Sequence, residues 1–503
     1  MAEPAPTRCT VCEEIRLAEV RDARPSQVLP IPNAALAGFP EGRSPHALTR
    51  RRLFQLGVAG FASVYAAQQL GWESVWESAV AEAAGGPTKA LVVLYLAGGQ
   101  DGLNAIVPAG STDYSIYAAK RPKLHRGQGP TAGGVVGSQV IPGTGGELAF
   151  ANPLVSSTGG GDNGDPTHGL DVIYGDGSGG PGSNLAILPG TDYTPPNLSH
   201  FTSSDHWFAG QTDPVSTGWL GRYLDLYGSA TNPLQGISIG GSLSKALRAR
   251  SAPVSTVASS NFANLGFRAG GPSASTVKPN SWIQQLSGVP AGSRNLSLAR
   301  VRQSYGLATS VFNQLSPLGA PTLGTGYPSG GNGLPGALQL AAFLLGAKLG
   351  TRVITINWGS FDTHGNQISQ QDPQLVTLSR SLSAFLADLK TRGIDDRVSV
   401  LVFSEFGRRV AENGSAGTDH GAGGLMMLAG TGVNGGLAGQ FPGLSTLDQT
   451  GDLLVPTDFR SVYAETISSW LGGDPTQVLP GIGAAGYPAT TVTRGDGRSG
   501  LFH

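Results

Sequence analysis

The chain has 503 residues, a formal net charge of −1 and only 13% charged residues. That length allows one large core with insertions or several smaller ones, and so weak a charge leaves no electrostatic footprint for nucleic acid or an anionic membrane. The 76 glycines follow no collagen period and gather in loops, which predicts a folded scaffold carrying glycine-rich insertions.

In chain order, residues 1–85 read as a presequence. Cys9 and Cys12, the only cysteines, form a lone C-x-x-C with no second pair to complete a zinc site. Arg51-Arg52-Leu53-Phe54-Gln55-Leu56 fits the R-R-x-F-x-L pattern of a twin-arginine export signal. A weakly apolar, uncharged run follows to Trp72, then small-residue sites such as Ala79-Val80-Ala81. Glycines, a serine and glutamines make that run a poor membrane span, so no stable membrane span is expected. The expected partner is the twin-arginine export machinery, which carries folded proteins, and the expected location is periplasmic, cell-surface or extracellular.

Residues 88–490 read as one α/β domain. "KALVVLYLAGGQDGLN" predicts a buried strand over 90–96 opening into a glycine turn; without alternation, such a run suits a parallel strand covered on both faces. Residues 126–190 read as a low-complexity, turn-rich insertion on the surface. A helical segment is predicted over 216–226 and a mixed connecting region over 251–334. Further on, the pattern predicts a helix over 337–350, a strand in "TRVITINWG", an amphipathic helix over 373–393 and a strand in "RVSVLVFSEFG". This alternation implies βα crossovers and a parallel sheet, and in open sheets of this kind ligands sit beyond the carboxyl ends of the strands.

Candidate ligands follow those strands. Asp101 comes after the first, Asp362 and His364 after the second, and Glu405 after the third; Asp419 and His420 lie shortly beyond, between glycines. Each alone is ordinary turn chemistry, since Asp and Gly punctuate loops. If the strands are neighbours, the six converge on one edge, and four carboxylates with two imidazoles suit one or two divalent ions. The pattern does not distinguish zinc, manganese, calcium or iron.

"LVVLYLAGGQDGLNAIVP", "NLSHF", "GSFDTHGNQ", "SEFGRRVAENGSAGTDHG" and "LLVPTDFRSVYAETISSWLGGDP", in order over about 50–480 and together with the twin arginines, resemble an exported bacterial family, domain of unknown function 1501. That family is similar to the alkaline phosphatase and sulfatase superfamily. The resemblance implies a doubly wound, mostly parallel sheet of alkaline phosphatase-like type, a metal-bound Asp at the first strand end, Asp and His ligands in the C-terminal half, and a nucleophile at a helix start. Carried over, Asp101, Asp362, His364, Glu405, Asp419 and His420 take the metal roles. Glu405 stands where an aspartate is commoner, and Asp362 and His364 are closer in sequence than the usual Asp-x-x-x-His.

Ser199 in "PPNLSHF" is the candidate nucleophile: a hydroxyl at a helix N-terminus, where amides and dipole favour an anionic ester. The alternative is a plain N-cap serine. His200 and Asn104 are candidates to orient substrate or complete the metal shell. No C-x-P-x-R occurs, which excludes the formylglycine route of sulfatases. The expected activity is therefore hydrolysis of phosphate esters, ahead of sulfate esters, on a small-molecule or polymer substrate. The rival expectation is a non-catalytic surface or assembly protein keeping the same fold.

Overall fold

The structure, a computed structural model, describes residues 88–128, 137–156, 167–176, 183–258, 267–268, 276–277, 296–319, 323–329, 333–484 and 487–503. The chain divides into two units, 1–65 and 66–503, and every described residue belongs to the second. Cys9, Cys12 and the twin arginines thus lie outside the described residues.

The unalternating run after the presequence forms β1 (Ala90–Leu96), buried along its whole length. It pairs in parallel with β5 (Val353–Trp358) on one side and β6 (Val398–Phe403) on the other, with Leu94 opposite Ile356 and Val402. The nine-stranded sheet also holds β2 (Leu185–Asp192), β3 (Gly236–Ile239), β4 (Ser255–Val257), β7 (Gly424–Ala429), β8 (Gly436–Leu437) and β9 (Thr457–Asp458). Its order is β8-β2-β7-β6-β1-β5-β3-β4, with β9 also on β2. Only β7 runs against the rest, pairing antiparallel with β6 and β2. The sheet is mostly parallel, as the alternation of helix and strand implies.

Side-chain period two divides β1 between two cores. Val92, Leu94 and Leu96 face the core built with α3 (Leu334–Gly346) and α4 (Gln367–Thr391). Leu91, Val93 and Tyr95 face the core built with α1 (His200–Ala209), α2 (Trp219–Tyr227) and α5 (Phe459–Glu465). Helices cover both faces, which makes the sheet doubly wound. No helix among the described residues is long and apolar enough to cross a membrane.

Two sequence expectations shift. The stretch 126–190 is not purely a surface excursion: β2 begins inside it and is buried at every position, as is the strand Leu148–Ala151. Helix α4 starts six residues before Pro373, the proline that the sequence reading placed at the helix start. The early turns persist because Gln367, Gln371 and Asp372 are buried in tertiary contacts, which outweigh one missing N–H.

Candidate metal centre

Turns from five strands meet at one edge of the sheet. After β1, Gly98 and Gly99 adopt φ +113° and +73°. A Cβ on Gly98 would stand 2.5 Å from the Asp362 backbone nitrogen, so glycine is what lets the β1 and β5 turns approach. The freed amides cradle Glu405: Gly98 N donates to Oε1 at 2.9 Å and Gly99 N to Oε2 at 3.1 Å. The Ser404 hydroxyl donates to Oε2 at 2.9 Å, and His200 Nδ1 lies 2.8 Å from Oε1. Glu405 is 1% exposed and both its oxygens are occupied.

His200 is the first residue of α1. The far end of that helix is fixed by Trp207, stacked on Phe403 and Phe459 with ring centroids 4.9 and 4.3 Å away. The helix stops at Gly210, φ +68°, where a side chain would collide with Leu479. Anchored so, α1 presents His200 Nε2 at 3.4 Å from Asp362 Oδ2.

Asp362 is the hub. His364 Nε2 lies 3.0 Å and His420 Nε2 3.1 Å from its Oδ1, and the two Nε2 atoms are 3.1 Å apart. Behind them, His364 Nδ1 meets Asp419 Oδ1 at 2.9 Å and His420 Nδ1 meets the Leu198 carbonyl at 2.8 Å. The buried Arg408 guanidinium donates to Asp362 Oδ1 at 2.8 Å and to the carbonyls of Gly99, Thr418 and Phe361 at 2.6, 2.8 and 3.0 Å. One side chain thereby ties the turn after β1 to the segments that carry His364 and His420.

Burial would raise the Asp362 pKa, but the hydrogen bond and charge of the Arg408 guanidinium lead the interactions that outweigh it and hold the carboxyl at about 2. The His364 hydrogen bond, then that of Asn413, lowers Asp419. Burial lowers the His420 pKa.

The structure brings His200, Asp362, His364, Glu405, Asp419 and His420 together, and His200, Asp362 and His420 each offer a ligand atom within 4.8 Å of the others. It does not bring Asp101 or Asn104 to them. Asp101 is gripped by Arg121, with Nη1 to Oδ2 at 2.6 Å and Nη2 to Oδ1 at 3.1 Å, and by Gln367. Asn104, wholly buried, accepts from Tyr117 and Arg121 at 2.6 and 2.9 Å and donates to the Leu124 carbonyl at 3.0 Å. Both are corrections: a guanidinium already neutralises Asp101, and Asn104 is wholly buried with its amide oxygen engaged twice and its amide nitrogen once. Ser199 is exposed at the N-cap of α1, yet its side chain makes no capping hydrogen bond.

Residues 323–490 match the family model described as Protein of unknown function (DUF1501). This match, to the family that the motifs resemble, includes Asp362, His364, Glu405, Arg408, Asp419 and His420, while Ser199 and His200 precede it. No curated protein matches the chain significantly. Among solved structures, the chain is similar to the PsFucS1 sulfatase from Pseudoalteromonas sp., at 12% identity over 85% of this chain and 76% of that one, TM-score 0.29. It is also similar to the lipoteichoic acid synthase LtaP from Listeria monocytogenes, at 10% identity over 68% and 66%, TM-score 0.22. A third is the alkaline phosphatase PafA, at 14% identity over 64% of each chain, TM-score 0.20.

A cavity of about 740 Å³ runs along the first turns of α4, lined by Lys123, Leu124, Ile368, Pro373 and Val376. No histidine of the cluster lines it. The cluster opens directly to solvent, with Asp362 42% and His364 45% exposed.

Proposed function

We propose that this protein is an exported, metal-dependent hydrolase of phosphate esters, with sulfate esters the less favoured substrate. The observation that carries the reading is the convergence of three imidazole Nε2 atoms on the Asp362 carboxylate at 3.0–3.4 Å, on a face open to solvent. His200, His364, His420 and Asp362 would hold the ion. The donors fit, because imidazole and carboxylate are the usual ligands of a catalytic divalent ion. When bound, the ion supplies Lewis-acid polarisation of a phosphoryl oxygen and lowers the pKa of a nearby hydroxyl.

The chain positions the rest. Ser199 is bracketed by residues fixed to the cluster: the Leu198 carbonyl accepts from His420 and the His200 ring meets Asp362. Its hydroxyl stands at the N-terminus of a ten-residue helix, where an anionic phosphoryl group is favoured. In the reaction, Ser199 Oγ forms a bond to phosphorus and releases its proton to solvent. The bond to the leaving oxygen breaks, that oxygen takes a proton from water, and a second water then cleaves the seryl ester.

One observation favours a rival, non-catalytic exported protein. Among the described residues no group hydrogen-bonds the Ser199 hydroxyl, so no resident base is poised to activate it. A panel of phosphate mono- and diesters and sulfate esters, assayed with the metal-loaded protein and its Ser199→Ala variant, separates the two. Cleavage that the variant loses supports the hydrolase; no cleavage of any ester by the loaded wild type supports the rival.

A further inference from the structure

We propose that the cluster is a one-ion site of three imidazoles and one carboxylate, His200, His364, His420 and Asp362. In it Glu405 and Asp419 stand behind the ligands rather than among them, and the site selects a borderline ion such as zinc or iron(II) over calcium or magnesium. This deepens the metal-dependent reading and rests on it.

The argument begins with which nitrogen carries the proton. A carbonyl can only accept, so His420 donates from Nδ1 to Leu198 O at 2.8 Å. A carboxylate likewise only accepts, so His200 donates from Nδ1 to Glu405 Oε1 at 2.8 Å and His364 from Nδ1 to Asp419 Oδ1 at 2.9 Å. A neutral ring that donates from Nδ1 has a bare lone pair on Nε2, the form in which each of the three would bind an ion. A ring N–H bound to a carboxylate or backbone carbonyl is the habitual support behind a metal-ligating histidine, because it fixes the tautomer and raises ligand basicity.

Those lone pairs face one another and an ionised carboxylate, with no donor between them except Arg408 on one oxygen. The separations from Asp362 are 3.0, 3.1 and 3.4 Å, and His364 lies 3.1 Å from His420. Such a packing of acceptors is repulsive by itself and becomes attractive around a cation. Ligands bonded at about 2.0–2.1 Å in a tetrahedron lie about 3.3 Å from each other, close to these four distances; His200, Asp362 and His420 form the tightest group, within 4.8 Å of one another, and His364 joins it through Asp362 and His420.

A second ion lacks ligands among the described residues. Asp101 is taken by Arg121, and both Glu405 oxygens are filled by the amides of Gly98 and Gly99, the Ser404 hydroxyl and His200. Arg408 adds a fixed positive charge beside Asp362, which opposes a second dication there. Calcium and magnesium prefer all-oxygen shells, whereas three imidazoles favour zinc, iron, copper or nickel.

The test is metal stoichiometry and spectroscopy on the purified full-length protein, with no reliance on turnover. The expected result is one equivalent of zinc per chain, undisturbed by excess calcium, and a four- to five-coordinate visible spectrum on cobalt(II) substitution, the fifth position being the one open to substrate. Asp419→Asn, exposed and expected to fold, should keep one equivalent with affinity weakened by about 10- to 100-fold. His364→Ala should lose binding far more severely. Two equivalents per chain, calcium displacing zinc, no binding at all, or Asp419→Asn as damaging as His364→Ala would each overturn the assignment. A protein that holds one ion as described and cleaves no ester would overturn the hydrolase reading alone.

Discussion

Arg121 closes on Asp101 with two nitrogens, at 2.6 and 3.1 Å, inside a pocket where both side chains are buried. The same guanidinium donates to the carbonyls of Val410 and Arg409 at 2.9 and 2.8 Å, so the pair locks the turn after β1 onto the segment after β6. This is a structural bond occupying a carboxylate that stands at a ligand-like place in the sequence. Asp101→Asn should leave Arg121 as an uncompensated buried charge and lower stability by roughly 3–5 kcal/mol. Metal content per folded chain should stay unchanged. Urea unfolding with metal analysis of the folded fraction checks both; loss of the ion with unchanged stability would return Asp101 to the ligand set.

Ser199 invites the opposite experiment. Because its side chain caps nothing, Ser199→Ala should shift the unfolding midpoint hardly at all, by less than the ~1 kcal/mol typical of a lost cap. Ester cleavage should fall by orders of magnitude while metal content holds. Retained turnover would remove the covalent route and leave a water molecule as the attacking group.

Export is a separate proposal, carried by Arg51 and Arg52 ahead of a weakly apolar run. Replacing both with lysine should keep the chain in the cytoplasm, scored by fractionation and immunoblotting. Unchanged appearance of the protein outside the cytoplasm would sink it.

The convergence of Asp362, His364, Glu405, Asp419 and His420 was legible because it follows from topology: parallel neighbours put their carboxyl-end turns on one edge. β7 runs the other way, so Asp419 and His420, which precede it, reach the same edge. What the sequence could not reveal is which carboxylates were already engaged. Arg121 lies twenty residues after Asp101 with no motif linking them, and Arg408 looks like a local partner of Glu405 but bonds Asp362 instead. His200 was readable as a candidate to orient substrate or complete the metal shell; its place in the cluster depends on how Trp207 seats α1. β2 was hidden by the glycine-rich segment around it, where composition outweighed an eight-residue run.

Far from the cluster, Asp496 offers a test of the electrostatics at the sheet edge. Arg494 donates to its two oxygens at 2.8 and 2.6 Å, and Arg498 Nε donates at 2.8 Å. Arg494 also binds the carbonyls of Asn434 and Gly435 at 2.8 and 2.9 Å, which clamps the C-terminal segment beside β8. Burial pushes the Asp496 pKa up, but the hydrogen bonds from Arg494 and Arg498 prevail and hold it at about 2. A carboxyl depressed on folding stabilises the fold above its unfolded pKa, near 4, and that contribution disappears as pH falls toward the folded value. The full contribution at neutral pH is about 2 kcal/mol, each pKa unit being worth about 1.4. Asp496→Asn should therefore be less stable than the wild type by that order at pH 7, and the gap should narrow steadily once the pH drops below about 4. Denaturant midpoints measured in parallel across that range decide it: a gap that stays constant with pH would mean that Asp496 acts through shape rather than charge.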